Sequence, residues 1–395
     1  MSPPRHRALW LLVLTIGAGC SSEDGEAHVG AGLDESTRGA AGQEATGRAD
    51  ATPSFEWNLP EGFPQPHVPA DNPMSEAKVE LGRHLFYDTR LSVNETQSCG
   101  SCHEQKLAFT DGRAVAKGAT DEVHIRSAMG LANVAYASTL TWANPVLPDL
   151  ERQALIPLFG EDPVELGMVG REQELIDRLH AEPLYVELFP EAFPEEPDEP
   201  ISIDTLTKAI AAFERTIISG RSRYDDYLAG DDILSAQELR GMEVFFSERA
   251  ECFHCHSGFN FSDSIMHLGK PFDEVAFHNT GLYDEDGQGA YPAGNEGLYN
   301  FSGEQRDVGR FKAPSLRNVT LTAPYMHDGS IETLEQVIDH YAAGGRAARN
   351  PNKSEFVTGF EISESEKQDL IAFLGALTDE TLLEDPRLSD PWTAR

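Results

Sequence analysis

Gly82-Arg-His-Leu-Phe86, Arg90, Cys99-Gly-Ser-Cys102-His103 and Phe109-Thr-Asp111 return later in the chain as Gly241-Met-Glu-Val-Phe245, Arg249, Cys252-Phe-His-Cys255-His256 and Phe261-Ser-Asp263. In a Cys-x-x-Cys-His run two thiols add across the vinyl groups of a porphyrin, while the histidine that follows reaches the iron from the same short turn. A zinc pair or a redox Cys-x-x-Cys uses the same letters. The repeat and the export signal described below favour two covalent c-type haems, with His103 and His256 on the irons and Cys99, Cys102, Cys252 and Cys255 as attachment points.

A repeat of this kind implies two related lobes. Leu206, Ile210, Phe213 and Ile217 recur at helical spacing behind Asp204. Leu239, Met242 and Phe246 do so behind Ser235 and Glu238, and Leu370, Phe373, Leu374 and Leu377 behind Ser363 and Glu366. Both of these last pairs have the spacing of a capping box. Strand alternation is scarce, and the Gly/Pro/Asn-rich stretch 284–303 reads as a long loop. The expectation is an all-α protein of two cytochrome c-like haem lobes with long loops and an interlobe interface. The lobes are set at 53–220 and 221–395, with the junction near 219–234.

The chain has 395 residues and a formal net charge of −35, which argues against nucleic acid or an anionic membrane surface as a partner. Residues 1–20 carry Arg5, His6 and Arg7 before an apolar run that stops at Cys20, as bacterial lipoprotein signals do. Cys20 would take the lipid, residues 21–52 would form a disordered tether, and the protein would work in the periplasm. Five cysteines are then accounted for without a disulfide, one for lipid and four for haem.

What each haem does depends on its other face. A sixth protein ligand makes an electron-transfer haem, and an open position makes a site for peroxide. Over nearly all of residues 55–380 the chain resembles the bacterial di-haem cytochrome c peroxidase and MauG superfamily. The resemblance is carried by the two haem runs with 81–92, Leu150-Glu-Arg-Gln-Ala154, Pro163-Val-Glu-Leu-Gly167, Ala209 to Thr216, Phe277-His-Asn-Thr-Gly281 and Pro314 to Gly329. It implies an N-terminal haem that reacts with hydrogen peroxide and a C-terminal haem that passes electrons. Matched residue by residue, Glu165 falls on the distal carboxylate, Gln153 on the neighbouring glutamine and Pro157 on the proline over the open iron. A carboxylate there can take a proton from one peroxide oxygen and return it to the other.

Where the family often has a second distal histidine this chain has Ala119, so the resemblance implies a first haem open at rest. The nearby His124 reads as an ordinary loop histidine. In the helix after His327-Asp-Gly329, whose histidine is assigned to haem binding, Tyr341 takes the place of the methionine of true peroxidases. A phenolate favours oxidised iron where methionine favours reduced iron. Trp142 resembles the tryptophan between the two haems, one residue out of register. Thr322 and Pro324 match backbone ligands of an interlobe calcium, with Ser127 where that site usually has asparagine. His84, His254, His267 and His278 read as loop or haem-edge residues.

A narrower resemblance, through Thr141-Trp-Ala-Asn-Pro145 and Leu158 to Met168, is to the di-haem enzymes of methanobactin-type clusters, the MbnH subgroup. It implies that peroxide makes a high-valent haem pair that oxidises a tryptophan of a copper-binding periplasmic partner protein to kynurenine. The alternatives are a cytochrome c peroxidase fed by a small cytochrome or cupredoxin, and a non-enzymatic di-haem electron carrier.

Overall fold

A computed structural model of the chain describes residues 55–270 and 272–392. The export signal with Cys20 and the whole tether expected over 21–52 therefore lie outside the described residues. In the first half, helix α1 (Glu76–Phe86) starts where the Ser75 hydroxyl accepts the Lys78 N–H at 3.2 Å, and α2 (Ile203–Glu214) starts on a Ser202/Thr205 capping box. The second half carries α3 (Ala236–Phe245), α4 (Leu334–Ala342) and α5 (Glu364–Gly375), begun by the boxes Ser235/Glu238, Thr333/Gln336 and Ser363/Glu366.

α1 crosses α2 at Gly82, where a Cβ would lie 1.9 Å from the Ala209 carbonyl oxygen. α3 crosses α5 at Gly241 in the same way, 1.9 Å from the Asp369 carbonyl oxygen. The two helices of each pair can touch backbone to backbone only because glycine stands at the crossing. Phenylalanines lock both crossings, Phe86 against Phe213 at 5.1 Å and Phe245 against Phe373 at 5.3 Å between ring centroids. The repeat read around the cysteines thus extends to the helix that closes each lobe.

Two apolar cores follow. One gathers Leu81, Leu85, Phe86, Phe109, Leu206 and Phe213, and the other Phe245, Phe261, Leu334, Ile338, Phe373 and Leu377. The end of the chain leaves the second core and packs on the first. Leu382 and Leu388 are buried there, the Tyr87 hydroxyl donates to Leu388 O at 2.6 Å, and Trp392 Nε1 donates to His84 O at 3.0 Å. The expected 221–395 lobe thus lends its tail to the other core.

Among the described residues there is no strand, only isolated bridges such as Glu104 with Thr110, so the all-α expectation holds. No helix among them is long and apolar enough to cross a membrane. Several local expectations change. The cap of α2 is Ser202 and not Asp204, because the hydroxyl reaches the Thr205 N–H. Ile217 and Leu377 are buried just past their helices, and Phe246 is 42% exposed because Val244 and Phe245 take the inward face. His84 is no loop residue: it sits in α1, buried, with Nδ1 3.0 Å from Glu80 O.

Candidate functional site: two attachment turns and the residues that face them

Both attachment turns are built alike. Cys99–Cys102 form one helical turn behind Ser98, and His103 Nδ1 lies 2.8 Å from Phe109 O. Cys252–His254 form a tighter turn, and His256 Nδ1 lies 3.1 Å from Phe261 O. A carbonyl only accepts, so Nδ1 carries the proton and Nε2 is the nitrogen available to iron. Phe109 and Phe261 hold φ values of 62° and 49°, left-handed backbone that a bulky residue seldom adopts. The same unusual turn therefore aims both imidazoles. Burial lowers the proton affinity of both histidines, which keeps them in the neutral form that ligates metal, and it pushes Cys102 up to about 11 and Cys252 up to about 12. The four cysteines form no disulfide. A pair of thiols beside a buried neutral imidazole suits covalent haem at both turns.

Around the second turn a largely apolar cavity is lined by Cys252, Cys255 and His256 together with Leu334, Val337, Ile338 and Tyr341 of α4. Leu334 and Ile338 belong to the second core as well, so the α4 stripe both packs and lines this cavity. Burial, and then the nearby Cys255 and Cys252, raise the Tyr341 phenol above its ordinary range. His278 stands beside Cys255: its Nε2 lies 2.5 Å from Asp263 Oδ2, and ligand atoms of all three residues fall within 4.8 Å. Burial works against the cation, but the Asp263 bond and Cys255 outweigh it and hold His278 near 10.

At the first turn, Glu165 is the distal candidate. Its backbone is fixed by Ala119 N–H donating to Glu165 O at 2.6 Å, and Pro157 O accepts the Leu166 N–H at 2.8 Å, so the Pro157 and Glu165 segments run side by side. The negative charge of Glu165 acts on Cys99, Cys102 and His103 together, which places the carboxylate within electrostatic reach of the whole turn. Gln153 closes the short helix Leu150–Gln153, whose Glu151 is tied to Arg215 at 2.8 Å and to Asn72 at 2.7 Å. Sequence reasoning set His124 aside, yet its Nε2 lies 3.0 Å from Glu165 Oε1. The two are 41 positions apart and no periodicity joins them. Glu214 was also passed over. Next to Arg215 in α2, it is buried with Oε2 unpartnered, and burial, opposed by Arg215, raises it to about 8.

Between the halves, Trp142 and His327 both line this same cavity, their rings 6.5 Å apart. Trp142 Nε1 donates to Ser127 O at 3.0 Å. His327 stacks on Phe311 at 3.7 Å, its Nε2 is buried without a partner, and burial lowers it to about 4. Ser127, Thr322 and Pro324 lie along the same wall. The Ser127 hydroxyl donates to Met326 O at 3.3 Å and the Thr322 hydroxyl to Val319 O at 3.1 Å, so their side-chain oxygens already have partners.

The family model for di-haem cytochrome c peroxidase matches residues 76–233. The chain is 35% identical over 346 residues to the methylamine utilization protein MauG of Methylorubrum extorquens, covering 85% of this chain and 89% of that protein. It is also 35% identical over 344 residues to the cytochrome-c peroxidase IdrP1 of Denitromonas iodatirespirans, covering 82% of this chain and 88% of the peroxidase. The chain belongs to the di-haem cytochrome c peroxidase and MauG family. A crystal structure of a MauG-like protein associated with microbial copper homeostasis superposes with a TM-score of 0.84 at 50% identity, covering 86% of this chain and 99% of that one.

Membership makes the chain an oxidoreductase of the di-haem peroxidase type, with two c-type haems, acting on hydrogen peroxide together with a partner protein or a cytochrome. The electron-carrier alternative is set aside with it.

Proposed function

We propose that this enzyme uses hydrogen peroxide to oxidise a residue of a protein partner, converting tryptophan to kynurenine. The observation that carries the reading is that Tyr341 lines one cavity with Cys252, Cys255 and His256; on the family resemblance it takes the place of the methionine of peroxidases. When bound, the haem pair supplies the two-electron reduction of peroxide and a store for the oxidising equivalents. The chain's own residues do the rest. Glu165 moves a proton from one peroxide oxygen to the other, with Gln153 and Pro157 shaping the pocket and Ala119 leaving it open. Tyr341 would hold the second haem through its phenol oxygen, a ligand that would favour the oxidised state. Trp142 and His327, side by side on the wall between the halves, give electrons a path.

The 50% identity to a MauG-like protein associated with copper homeostasis supports a copper-binding partner. On the same reading the enzyme works in the periplasm on a lipid at Cys20, and carbonyls of Thr322 and Pro324 help hold calcium between the lobes. A cytochrome c peroxidase remains the second reading, favoured by the similarity to IdrP1. The test is to incubate the oxidised enzyme with peroxide and the protein encoded beside it, then map tryptophan mass shifts. Kynurenine in the partner is the expected result. An unmodified partner together with fast turnover of reduced cytochrome would move the assignment to the second reading.

A further inference from the structure

His124 lies on the returning leg of a small hairpin, Ala116 to Arg126. The hairpin is closed by His124 N–H donating to Ala116 O at 2.9 Å, Ala116 N–H to Arg126 O at 3.3 Å and Gly118 N–H to Glu122 O at 2.8 Å. Its tip is docked against the segment that carries Glu165. A Cβ on Gly118 would meet Val164 O at 1.9 Å, Ala119 N–H donates to Glu165 O at 2.6 Å, and Asn94 Nδ2 holds Ala119 O from the other side at 2.7 Å. The tip is therefore a rigid platform with no room for a larger residue at 118.

The other charged side chains of the hairpin are engaged elsewhere. Lys117 pairs with Asp121 at 2.6 Å, and Arg126 Nε donates to Asn295 at 3.0 Å. Glu122 is turned outward and exposed. His124 alone of them meets Glu165, and it takes one carboxylate oxygen, Oε1, at 3.0 Å. Among the described residues no hydrogen bond reaches Glu165 Oε2, and the charge of Glu165 reaches Cys99, Cys102 and His103. Both side chains of the pair are partly open to solvent, 21% for His124 and 33% for Glu165.

We propose that His124 is a positioning residue for Glu165: by holding Oε1 it fixes the carboxylate rotamer and presents Oε2 to the peroxide at the first haem. The proposal rests on Glu165 being the proton-transfer group of the peroxide site. A carboxylate on an exposed loop has several staggered arrangements, and only one that points Oε2 inward is productive. A charge-assisted hydrogen bond from an imidazole on a rigid hairpin selects it. It also gives His124 a role other than iron ligand, since the nitrogen that would bind iron is the one on Glu165.

The experiment uses the full holoprotein without any partner and follows the rate of the peroxide-induced change in the haem absorption. His124→Asn, too short to reach Oε1, is compared with His124→Gln, whose amide N–H reaches about as far as Nε2. Both are also made on a Glu165→Gln background. Haem content and the resting spectrum are checked first, with His124→Ser replacing His124→Asn if the latter does not mature. The expected result is a slowing of about 10- to 100-fold in His124→Asn, the span of one charge-assisted hydrogen bond. His124→Gln should recover most of the rate, resting spectra should be unchanged, and His124→Asn should add no loss once Glu165 is already Gln.

A native rate in His124→Asn, no recovery in His124→Gln, additive losses, or a changed resting spectrum would each overturn the pairing. A native rate in Glu165→Gln would remove the peroxide-site reading and this proposal with it. A slow Glu165→Gln with an unmodified partner would cost only the partner assignment.

Discussion

Asn133 and Asn318 hold the same residue from opposite halves of the chain. Asn133 Oδ1 accepts the Ser219 N–H at 2.8 Å and its Nδ2 donates to Ser219 O at 2.7 Å, while Asn318 Nδ2 donates to the Ser219 hydroxyl at 3.0 Å and its Oδ1 accepts the Asp379 N–H at 2.8 Å. Both asparagines have φ of 61°, both are buried, and each starts a short 3-10 turn. Asn133→Ala or Asn318→Ala leaves two or more buried groups without partners and puts Ala in left-handed backbone. Each should cost roughly 3 kcal/mol or more. Thermal unfolding followed at the haem absorption checks this, and an unchanged midpoint would mean the junction is not held there.

The crossings at Gly82 and Gly241 predict a second outcome. A methyl at either must push two helix backbones apart, since the nearest atom is a carbonyl oxygen at 1.9 Å and not the end of a mobile side chain. Gly82→Ala and Gly241→Ala should each destabilise by about 1–3 kcal/mol or more and lower the yield of haem-loaded protein. Gly375, at the end of α5, has nothing within 4 Å of a Cβ. Gly375→Ala should be neutral or stabilising by up to about 1 kcal/mol, and this contrast separates packing from helix propensity.

How far the sequence reveals the fold depends on the range of the contacts involved. The attachment turns, the capping boxes at Ser235 and Ser363 and the apolar stripes are local, so spacing alone exposes them. A further repeat, Leu131-Ala-Asn-Val134 against Leu316-Arg-Asn-Val319, marks the asparagines above. The return of Leu382, Leu388 and Trp392 to the first core and the closing of His124 on Glu165 join distant segments, and no periodicity reports them. Tyr341 shows the opposite limit. Its helical stripe is legible, but the same stripe serves a packed core or a cofactor wall, and only the cavity separates the two.

Glu214 carries a pH prediction. Burial, with Arg215 opposing and Glu151 adding, raises its carboxyl from 4.5 to about 8. Between those values the folded protein keeps the proton and the unfolded chain releases it, so stability is full below about 4.5 and falls as pH rises toward 8. The slope from this one group is about 1.4 kcal/mol per pH unit at most. Glu214→Gln should flatten the decline in unfolding midpoint across that window and be the more stable form at neutral pH. A wild-type midpoint that rises from pH 5 to 8 while the variant's stays level would show that the carboxylate is charged and paired in the fold.

Tyr341 allows the assignment of the second haem to be tested apart from any partner. Cys252, Cys255 and His256 come from the attachment turn and Tyr341 from α4, so Tyr341→Phe should leave haem attachment intact while removing the phenol oxygen. If that oxygen caps the iron, electron paramagnetic resonance of the resting variant should gain a high-spin component at the second centre. Tyr341→Met offers a thioether from the same helix position and should shift the second haem toward the reduced state, because methionine raises the potential where a phenolate lowers it. Tyr341→Met should then gain turnover with a reduced cytochrome and lose oxidation of the partner. Identical spectra for wild type and Tyr341→Phe would mean that the phenol only packs the cavity wall, and the choice between the two readings of function would have to rest on another residue.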